Sequence, residues 1–205
     1  RALADKDGAI VPLIAETGGI TDGRGRMAAH IARRHVPVGD TAPADPAPAA
    51  TVGPTAFGPL AALAFGQITA TDLAALADQV SAVRLTSWRM LLLEGLTGTP
   101  KGLILSPDDP LLRVIACTGA PACPQALGDT RNLARALAPQ LPENRSLHVS
   151  GCAKGCAHPA PCDLTLTATA TGYRLIHQGR AADTGRDLTH PTALDLLESA
   201  HAPRL

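Results

Sequence analysis

The sequence predicts a mixed fold of the α+β or α/β class, and its pattern of apolar residues is the main reason. Segments with helical spacing alternate with short extended segments, and two extended segments near the C-terminal end are joined as a hairpin. Aromatic residues make up 2% of the 205 residues, so we expect a core of Leu, Val, Ile and Ala side chains. A chain of this length forms one large domain or two small ones, and it can fold without a metal.

A proline- and alanine-rich segment divides the chain. Residues 37–54 contain five prolines, five alanines and few large apolar side chains, so they are interpreted as a linker. The preceding residues include a loop rich in glycine and arginine, residues 18–26, and a short helical pattern that ends near His35. The chain starts at Arg1 with neither an initiator methionine nor a secretory leader. We therefore expect residues 1–36 to be the end of a domain whose earlier part is missing.

The elements after the linker begin with a helix and two strands. Thr71 and Asp72 are placed to cap a helix, because apolar residues follow them at the spacing of one helical face. These apolar residues are Leu73, Leu76, Ala77 and Val80. Residues 82–86 and 89–93 are predicted to be two extended segments on either side of Trp88.

Two further strands are predicted to lead directly into the cysteine-containing segments. They cover residues 112–116 and 147–150. A helix over residues 131–138 lies between them, with Arg131 and Arg135 one turn apart on what we interpret as a solvated face. The remaining predicted elements are a hairpin of residues 163–169 and 173–177, and a last helix over residues 191–200.

Four of the five cysteines form two pairs, each set among glycine and proline residues. Cys117 and Cys123 are separated by five residues, whereas Cys152 and Cys156 are separated by three. Four thiolates from one domain are the ligand set of a [4Fe–4S] cluster. The first gap is wider than is usual in structural zinc sites, and the odd number of cysteines favours reduced thiols over disulfides. Zinc and structural thiols remain the alternatives, and Cys162 is interpreted as a small buried or free thiol.

The expected placement of the two pairs favours the same kind of site. A Cys-x3-Cys pair on a helical turn has its Cβ atoms about 5–6 Å apart on one face, which suits two corners of an iron–sulfur cube. Both pairs are predicted where a strand ends and a helix begins, so that helix N-termini face an anionic cluster. The neighbouring Gly119, Gly151 and Gly155 are expected to let the backbone approach the cluster.

Charge and hydropathy argue against two classes of partner. Eighteen basic and eighteen acidic residues balance, so no net field attracts nucleic acid. No apolar run reaches the roughly 18–20 residues that a membrane span requires. Together with reduced cysteines, these observations predict a cytoplasmic protein with neither a nucleic-acid nor a membrane partner.

Several of these motifs resemble the sulfite and nitrite reductase superfamily. Cys-x5-Cys followed by Gly-Cys-x-x-Gly-Cys is similar to the cluster signature of that superfamily. Residues 83–93 are similar to the substrate-facing strand pair of its ferredoxin-like half-domain, and residues 65–69 with the helix after them also fit that half-domain. The resemblance covers roughly residues 55–190. It implies a ferredoxin-like half-domain over residues 55–108 and an α/β cluster-binding domain over residues 109–205.

Within the superfamily, two motifs most resemble the family of precorrin-3B synthases of aerobic cobalamin biosynthesis. They are Arg-Leu-Thr-x-Trp-Arg and Ser-Gly-Cys-Ala-Lys-Gly-Cys-Ala-His-Pro. The resemblance implies an iron–sulfur monooxygenase that uses dioxygen and an electron donor to hydroxylate precorrin-3A and to close a lactone. It also implies that the four paired cysteines, Cys117, Cys123, Cys152 and Cys156, ligate a [4Fe–4S] cluster. Cys156 is then the ligand nearest the tetrapyrrole.

A tetrapyrrole that carries many carboxylates requires fixed positive charge, which arginine supplies in bidentate pairs. The resemblance places five candidate substrate-binding residues near the macrocycle. They are Arg84, Arg89, Lys154, His158 and Arg180. Each also has an ordinary interpretation, since basic side chains on strands and loops are commonly solvated or paired in salt bridges.

Two other functions are consistent with the sequence. A sulfite or nitrite reductase would hold sirohaem as its prosthetic group, with further basic residues above it. A zinc-stabilised or electron-transfer binding module would have no catalytic role, although a ferredoxin more typically carries Cys-x2-Cys runs. A mononuclear non-haem iron is a further candidate cofactor, for which no 2-His-1-carboxylate triad stands out in the sequence.

Overall fold

The computed structural model describes Gly18, residues 20–21 and 24–25, residues 48–192, and Asp195. The chain separates into two compact units, Arg1–Pro48 and Ala49–Leu205. The described part of the first unit contains two short antiparallel strands, β1 (Ile20–Thr21) and β2 (Arg24–Gly25). The helical pattern predicted near His35 and residues 37–47 of the predicted linker lie outside the described residues.

The second unit contains a three-stranded antiparallel sheet with the order β3-β5-β4. Its strands are β3 (Leu60–Ala62), β4 (Ala82–Leu85) and β5 (Met90–Glu94). Leu91 and Leu93 alternate along β5 toward one face, where they pack with Leu76 of the adjoining helix. Val52 and Ile104 are buried in a second cluster with Ala62, although the predicted linker extends to residue 54. The strands predicted around Trp88 are thus confirmed, with small shifts of their ends.

The helix α1 (Ala70–Ala77) has a different cap from the predicted one. Thr69 has an extended backbone, and its hydroxyl oxygen accepts a 3.0 Å hydrogen bond from the amide of Asp72. The Thr69 hydroxyl in turn donates to the Asp72 carboxylate at 2.7 Å. The prediction that Thr71 and Asp72 cap the helix is wrong, because the N-cap position lies three residues before the residue whose amide it binds.

A five-stranded mixed sheet forms the larger part of the second unit, with the order β10-β9-β8-β7-β6. Strands β6, β7 and β8 are parallel neighbours, whereas β8, β9 and β10 are antiparallel. The strands are β6 (Val114–Ala116), β7 (Leu147–Ser150), β8 (Cys162–Thr169), β9 (Gly172–Gly179) and β10 (Arg186–Leu188). The predicted strands and hairpin are confirmed, and β10 is an addition to them. The strand predicted from residue 112 starts later, because Pro110–Arg113 form a 3-10 turn capped by Asp109.

The helix α2 (Arg131–Leu137) covers one face of this sheet, as predicted. Ala134 and Leu137 of the helix pack against Leu147 and Val149 of β7 in one apolar cluster. All four residues of β7 are buried, so this strand is covered on both faces. The alternation of side chains along a strand places His148 and the last residue of β7 on the face opposite that cluster.

The predicted C-terminal helix, residues 191–200, lies largely outside the described residues. Its described part has Thr192 donating from its amide to the Asp195 carboxylate at 2.8 Å. Among the described residues, the helices are all too short or too polar to cross a membrane. The chain is therefore a mixed α+β protein with two sheets in its second unit, in agreement with the predicted class.

Candidate functional site

Two loops that carry the paired cysteines meet at one edge of the large sheet. The first cysteine loop, residues 117–130, follows β6, and the second cysteine loop, residues 151–161, follows β7. Because β6 and β7 are parallel neighbours with Ala116 opposite Val149, both loops leave the sheet at the same edge. The parallel pairing thus brings together two segments that are distant in the sequence.

Backbone hydrogen bonds connect the two loops. The amide of Cys117 donates to the carbonyl of Val149 at 3.0 Å, and the amide of Leu127 donates to the carbonyl of Gly151 at 2.8 Å. Within the first loop, the amide of Cys123 donates to the carbonyl of Gly119 at 2.8 Å. These bonds hold the first loop against the end of β7 and against the start of the second loop.

Gly119 allows the first loop to pack tightly on itself. Its φ of 73° lies in the left-handed region, and a Cβ atom there would lie 2.4 Å from the Thr130 hydroxyl oxygen. Thr130 is fully buried, and its hydroxyl donates to the carbonyl of Cys117 at 2.7 Å. Gly119 is therefore required for the close contact with Thr130 at the end of the loop. The sequence had instead predicted that this glycine lets the backbone approach a cluster.

The second loop consists of turns, and the predicted helical turn that holds Cys152 and Cys156 on one face is wrong. Gly155 has a φ of 58°, which is incompatible with a right-handed helix at that position. The predicted helix start after the second pair is also absent from the described residues 151–161. In the described part of the chain, a helix follows the first cysteine pair only: α2 begins at Arg131, after the first cysteine loop.

The four paired cysteines line a single cavity of about 430 Å³. Cys117, Cys123 and Cys152 are half-buried, and Cys156 is exposed. All five cysteines are free thiols. Cys162 is buried in β8, outside the lining of this cavity, where its thiol donates to the Ser146 hydroxyl at 3.1 Å. This placement agrees with its interpretation as a small buried thiol.

The four paired cysteines share the lining of one cavity. Across the described ranges, no group of three His, Cys, Asp or Glu side chains is arranged to hold one metal ion. A mononuclear zinc site requires ligand atoms about 2.0–2.3 Å from a common centre.

Two polar side chains of β7 lie behind Cys117. The Nε2 atom of His148 is 3.6 Å from the Cys117 Sγ atom, and the Ser150 hydroxyl oxygen is 3.5 Å from it. The Ser150 hydroxyl also donates to the carbonyl of Cys152 at 2.7 Å. His148 is fully buried, which lowers its pKa to about 4 and keeps the imidazole neutral near pH 7. Its Nδ1 atom is buried without a hydrogen-bond partner in the described structure.

Arg131 is the second buried polar feature of the site. Its side chain lines the cysteine cavity, and its Nε atom is buried without a hydrogen-bond partner in the described part of the chain. The guanidinium of Arg135 instead lies 5.0 Å from the centre of the Phe65 ring. The predicted solvated face is thus wrong for Arg131, because long side chains one turn apart can point in different directions.

Two residues from the small sheet region complete the cavity. Phe65 has a φ of 57° and Arg89 has a φ of 60°, and both line the cavity. Residues other than glycine rarely adopt this left-handed conformation, and such strained positions concentrate at functional sites. Phe65, Arg89 and His158 also line a neighbouring cavity of about 410 Å³.

The structure brings some of the predicted substrate-binding residues to the site and leaves others away from it. Arg89 lines the cysteine cavity, and His158 lines the neighbouring one. Lys154 is exposed and is not part of the cysteine cavity lining. Arg84 is exposed in an ion pair with Glu94, and its pKa is raised by that hydrogen bond. Arg180 is also exposed outside the cavity, and its amide donates to Asp183.

Sequence reasoning missed three contributors to the site: Phe65, Arg131 and His148. The sequence contained a signal for His148, since this polar residue lies between the apolar Leu147 and Val149 in a strand that ends at a cysteine loop. The position of Arg131 directly after the first cysteine loop was also visible. The left-handed backbone of Phe65 had no sequence signal, because aromatic residues are rare in that conformation.

Comparison with known proteins identifies one curated relative. No protein-family model matches the chain. Precorrin-3B synthase from Sinorhizobium sp. is 33% identical in an alignment of 138 residues. The match covers 58% of this chain and 30% of the relative. The chain thus matches less than a third of the length of that protein.

A solved structure, that of the Mycobacterium tuberculosis NirA protein, is 19% identical to the chain. The likeness covers 80% of this chain and 38% of that one, with a TM-score of 0.44. A TM-score below 0.5 does not establish a common fold. The sequence match is the stronger finding, and over the matched residues the chain is similar to precorrin-3B synthase.

Proposed function

We propose that this chain carries the [4Fe–4S] site of an oxidoreductase that acts on a tetrapyrrole in cobalamin biosynthesis. The four ligands are Cys117, Cys123, Cys152 and Cys156. The observation that carries the proposal is that all four thiols, from two loops joined by a backbone hydrogen bond, line one cavity. Thiolates from four cysteines are the ligand set of such a cluster.

The surroundings of the thiols fit a cluster. The cavity is large enough for a polynuclear group, and its lining contains no Asp or Glu to compete with thiolates for iron. The buried Nε atom of Arg131 has no acceptor among the described residues, and a cluster with four thiolates is anionic and offers sulfur acceptors. When bound, the cluster supplies one-electron redox chemistry at this edge of the sheet.

The proposed reaction rests on the similarity to precorrin-3B synthase. We propose that the complete protein converts precorrin-3A to precorrin-3B with dioxygen and an electron donor, by hydroxylation and lactone formation. This chain contributes the cysteine loops and cationic side chains around them.

The candidate substrate residues have different roles in this proposal. Arg89 is best placed, because it is exposed on one side and lines the cavity of the cysteines on the other. Arg84 pairs with Glu94 in a solvent-exposed ion pair, which is weak enough to exchange for a substrate carboxylate. Lys154, His158 and Arg180 are not part of the lining of the cysteine cavity. We propose that they contact carboxylates at the edge of the macrocycle.

Anaerobic purification of the chain tests the proposal. We expect about four irons and four sulfides per chain, a broad absorption band near 400 nm and no tetrapyrrole in a pyridine extract. Sirohaem in the extract would instead identify a sulfite or nitrite reductase. Zinc without iron would contradict both functions and would support the zinc-stabilised binding module.

Precorrin-3A provides the second test, and it requires the chain with its cluster intact. We expect the chain to bind this tetrapyrrole, and Arg89→Gln to weaken binding by about tenfold through loss of a charged hydrogen bond. Gln79 and Lys101 lie in the same unit as Arg89, and neither lines the cysteine cavity. Lys101→Gln is the matched control, because it removes a positive charge away from that cavity. Equal binding by Arg89→Gln and the control would contradict the assignment of Arg89.

A further inference from the structure

Arg131 brings a positive charge into the cavity of the four cysteines. We infer that its guanidinium is the counter-charge of the bound cluster and that it raises the reduction potential of that cluster. This inference rests on the proposed [4Fe–4S] site. Arg131 places a positive charge beside the proposed cluster, and we assign it no contact with the substrate.

The surroundings of Arg131 leave its charge available. Within the described residues, no carboxylate pairs with this guanidinium, and no Asp or Glu lines the cavity. Its Nε atom is buried and has no hydrogen-bond acceptor in the same part of the chain. A buried donor without an acceptor destabilises a protein, so the position is unfavourable without an anion. The thiols are the groups in the cavity lining that become anionic on binding iron.

The other arginine of the cavity is held differently. Arg89 lies in the exposed turn between β4 and β5, where its side chain is open to solvent and to an entering ligand. Arg131 is half-buried at the first residue of α2, directly after the first cysteine loop. The position of Arg131 is thus determined by the protein, and its charge is present whether or not a substrate is bound.

A fixed positive charge near the cluster has a defined electrostatic effect. Reduction by an external one-electron donor adds one electron to the cluster and makes it more negative. A nearby cation stabilises the reduced form more than the oxidised form, since the attraction grows with the charge of the cluster. Partial burial strengthens this attraction, because the effective dielectric is lower than that of water. Removal of the charge therefore lowers the reduction potential.

Arg135 provides a matched control on the same helix. It is one turn away, its guanidinium lies over the Phe65 ring, and it is not part of the cavity lining. Arg131→Gln and Arg135→Gln remove the same charge from neighbouring positions. Arg131→Lys keeps the charge while it removes the guanidinium fork, so it separates the effect of charge from that of shape.

The test is a redox titration of the anaerobically purified chain with mediators, followed by visible absorption and electron paramagnetic resonance. At the midpoint potential of the unmodified chain, we expect Arg131→Gln to raise the ratio of oxidised to reduced cluster about tenfold. For one electron this equals a downward shift of about 59 mV. Arg135→Gln and Arg131→Lys are expected to stay within about twofold of the unmodified chain, as the charge near the cluster is unchanged.

Three results would overturn the inference. They are an unchanged potential in Arg131→Gln, an equal shift in Arg135→Gln, and a shift in Arg131→Lys as large as in Arg131→Gln. Loss of the cluster in Arg131→Gln with retention in Arg131→Lys would support the role of the charge. An unmodified chain without iron and sulfide would contradict the proposed function itself, and this is distinguished by iron analysis before the titration.

Discussion

The two cysteine loops are built differently, although both leave the same sheet edge. In the first loop, both cysteines are half-buried and the buried hydroxyl of Thr130 holds the start of the loop. In the second loop, Cys152 is half-buried against β7, but Cys156 is exposed beyond the left-handed Gly155. The first loop is thus a packed support, and the second presents one cysteine toward the outside.

The difference between the two loops shows how one candidate site can have a packed side and a side that is open to solvent. A cluster requires ligands whose positions are fixed, and the buried bonds of the first loop provide them. A large substrate requires an open side, and the exposed end of the second loop provides it. Four predictions test this division, from the largest expected effect to the smallest.

The largest effect is expected from loss of a paired cysteine. Cys117→Ala removes one of four proposed ligands, and we expect iron per chain to fall by about tenfold or more, since even outer partners of a metal site change affinity 10–100-fold. The measurement is iron and sulfide analysis after anaerobic purification. Cys162→Ala is the matched control, because Cys162 is buried in β8 outside the cavity lining. Retained iron in Cys117→Ala would remove that residue from the site.

The glycines of the two loops are expected to differ in their tolerance of a side chain. Gly119→Ala places a Cβ atom 2.4 Å from the Thr130 hydroxyl oxygen in a left-handed conformation, so we expect a loss of about 3 kcal/mol in the free energy of unfolding. Gly155→Ala meets its nearest atom at 3.0 Å, so the expected loss is about 1–2 kcal/mol. Urea denaturation measures both. A larger loss for Gly155→Ala would reverse the comparison of the two loops.

In each loop, the carbonyl of the first cysteine accepts a hydrogen bond from one hydroxyl, that of Thr130 in the first loop and that of Ser150 of β7 in the second. Thr130→Val leaves the carbonyl of Cys117 without this donor while it keeps the shape of the side chain, and we expect a loss of about 1–2 kcal/mol. Ser150→Ala removes the equivalent bond to Cys152, with a similar expected loss. The same denaturation experiment measures both changes. Wild-type stability in both variants would show that these bonds do not hold the loops.

The smallest effect is expected at the exposed end of the second loop. Lys154 lies between Cys152 and Cys156, but it is exposed and has no part in the cavity lining. Lys154→Gln is therefore expected to leave both the iron content and the unfolding transition unchanged, since exposed substitutions rarely alter stability measurably. A clear loss of iron in this variant would mean that the second loop, too, is a packed support.

The sequence was sufficient to locate the site but not to describe its details. Cysteine spacing predicted that the two pairs share one site, and a strand was predicted before each pair; these strands are present as the parallel neighbours β6 and β7. The capping pattern of Thr69 and Asp72 could also be recognised in the sequence, although the predicted N-cap was placed two residues further along the chain. These features depend on local patterns, which a single sequence contains.

The features that were missed depend on contacts between distant residues. The helical turn predicted around Cys152 fails because Gly155 adopts a left-handed backbone beside Ala181, and residue spacing does not reveal that neighbour. Arg131 lines the cysteine cavity together with residues of both loops, and this neighbourhood is not visible in residue spacing. The unpredicted strand β10 pairs with β9, so its position is determined by the rest of the sheet.

Native mass spectrometry of the anaerobically purified chain tests the central claim most directly, because it counts what one chain holds. The proposal that the two loops together form one site predicts a single species with the mass of the chain plus one [4Fe–4S] cluster, and the bare chain for Cys117→Ala. A chain that carries one zinc ion, or one whose bound mass is unaffected by Cys117→Ala, would contradict it.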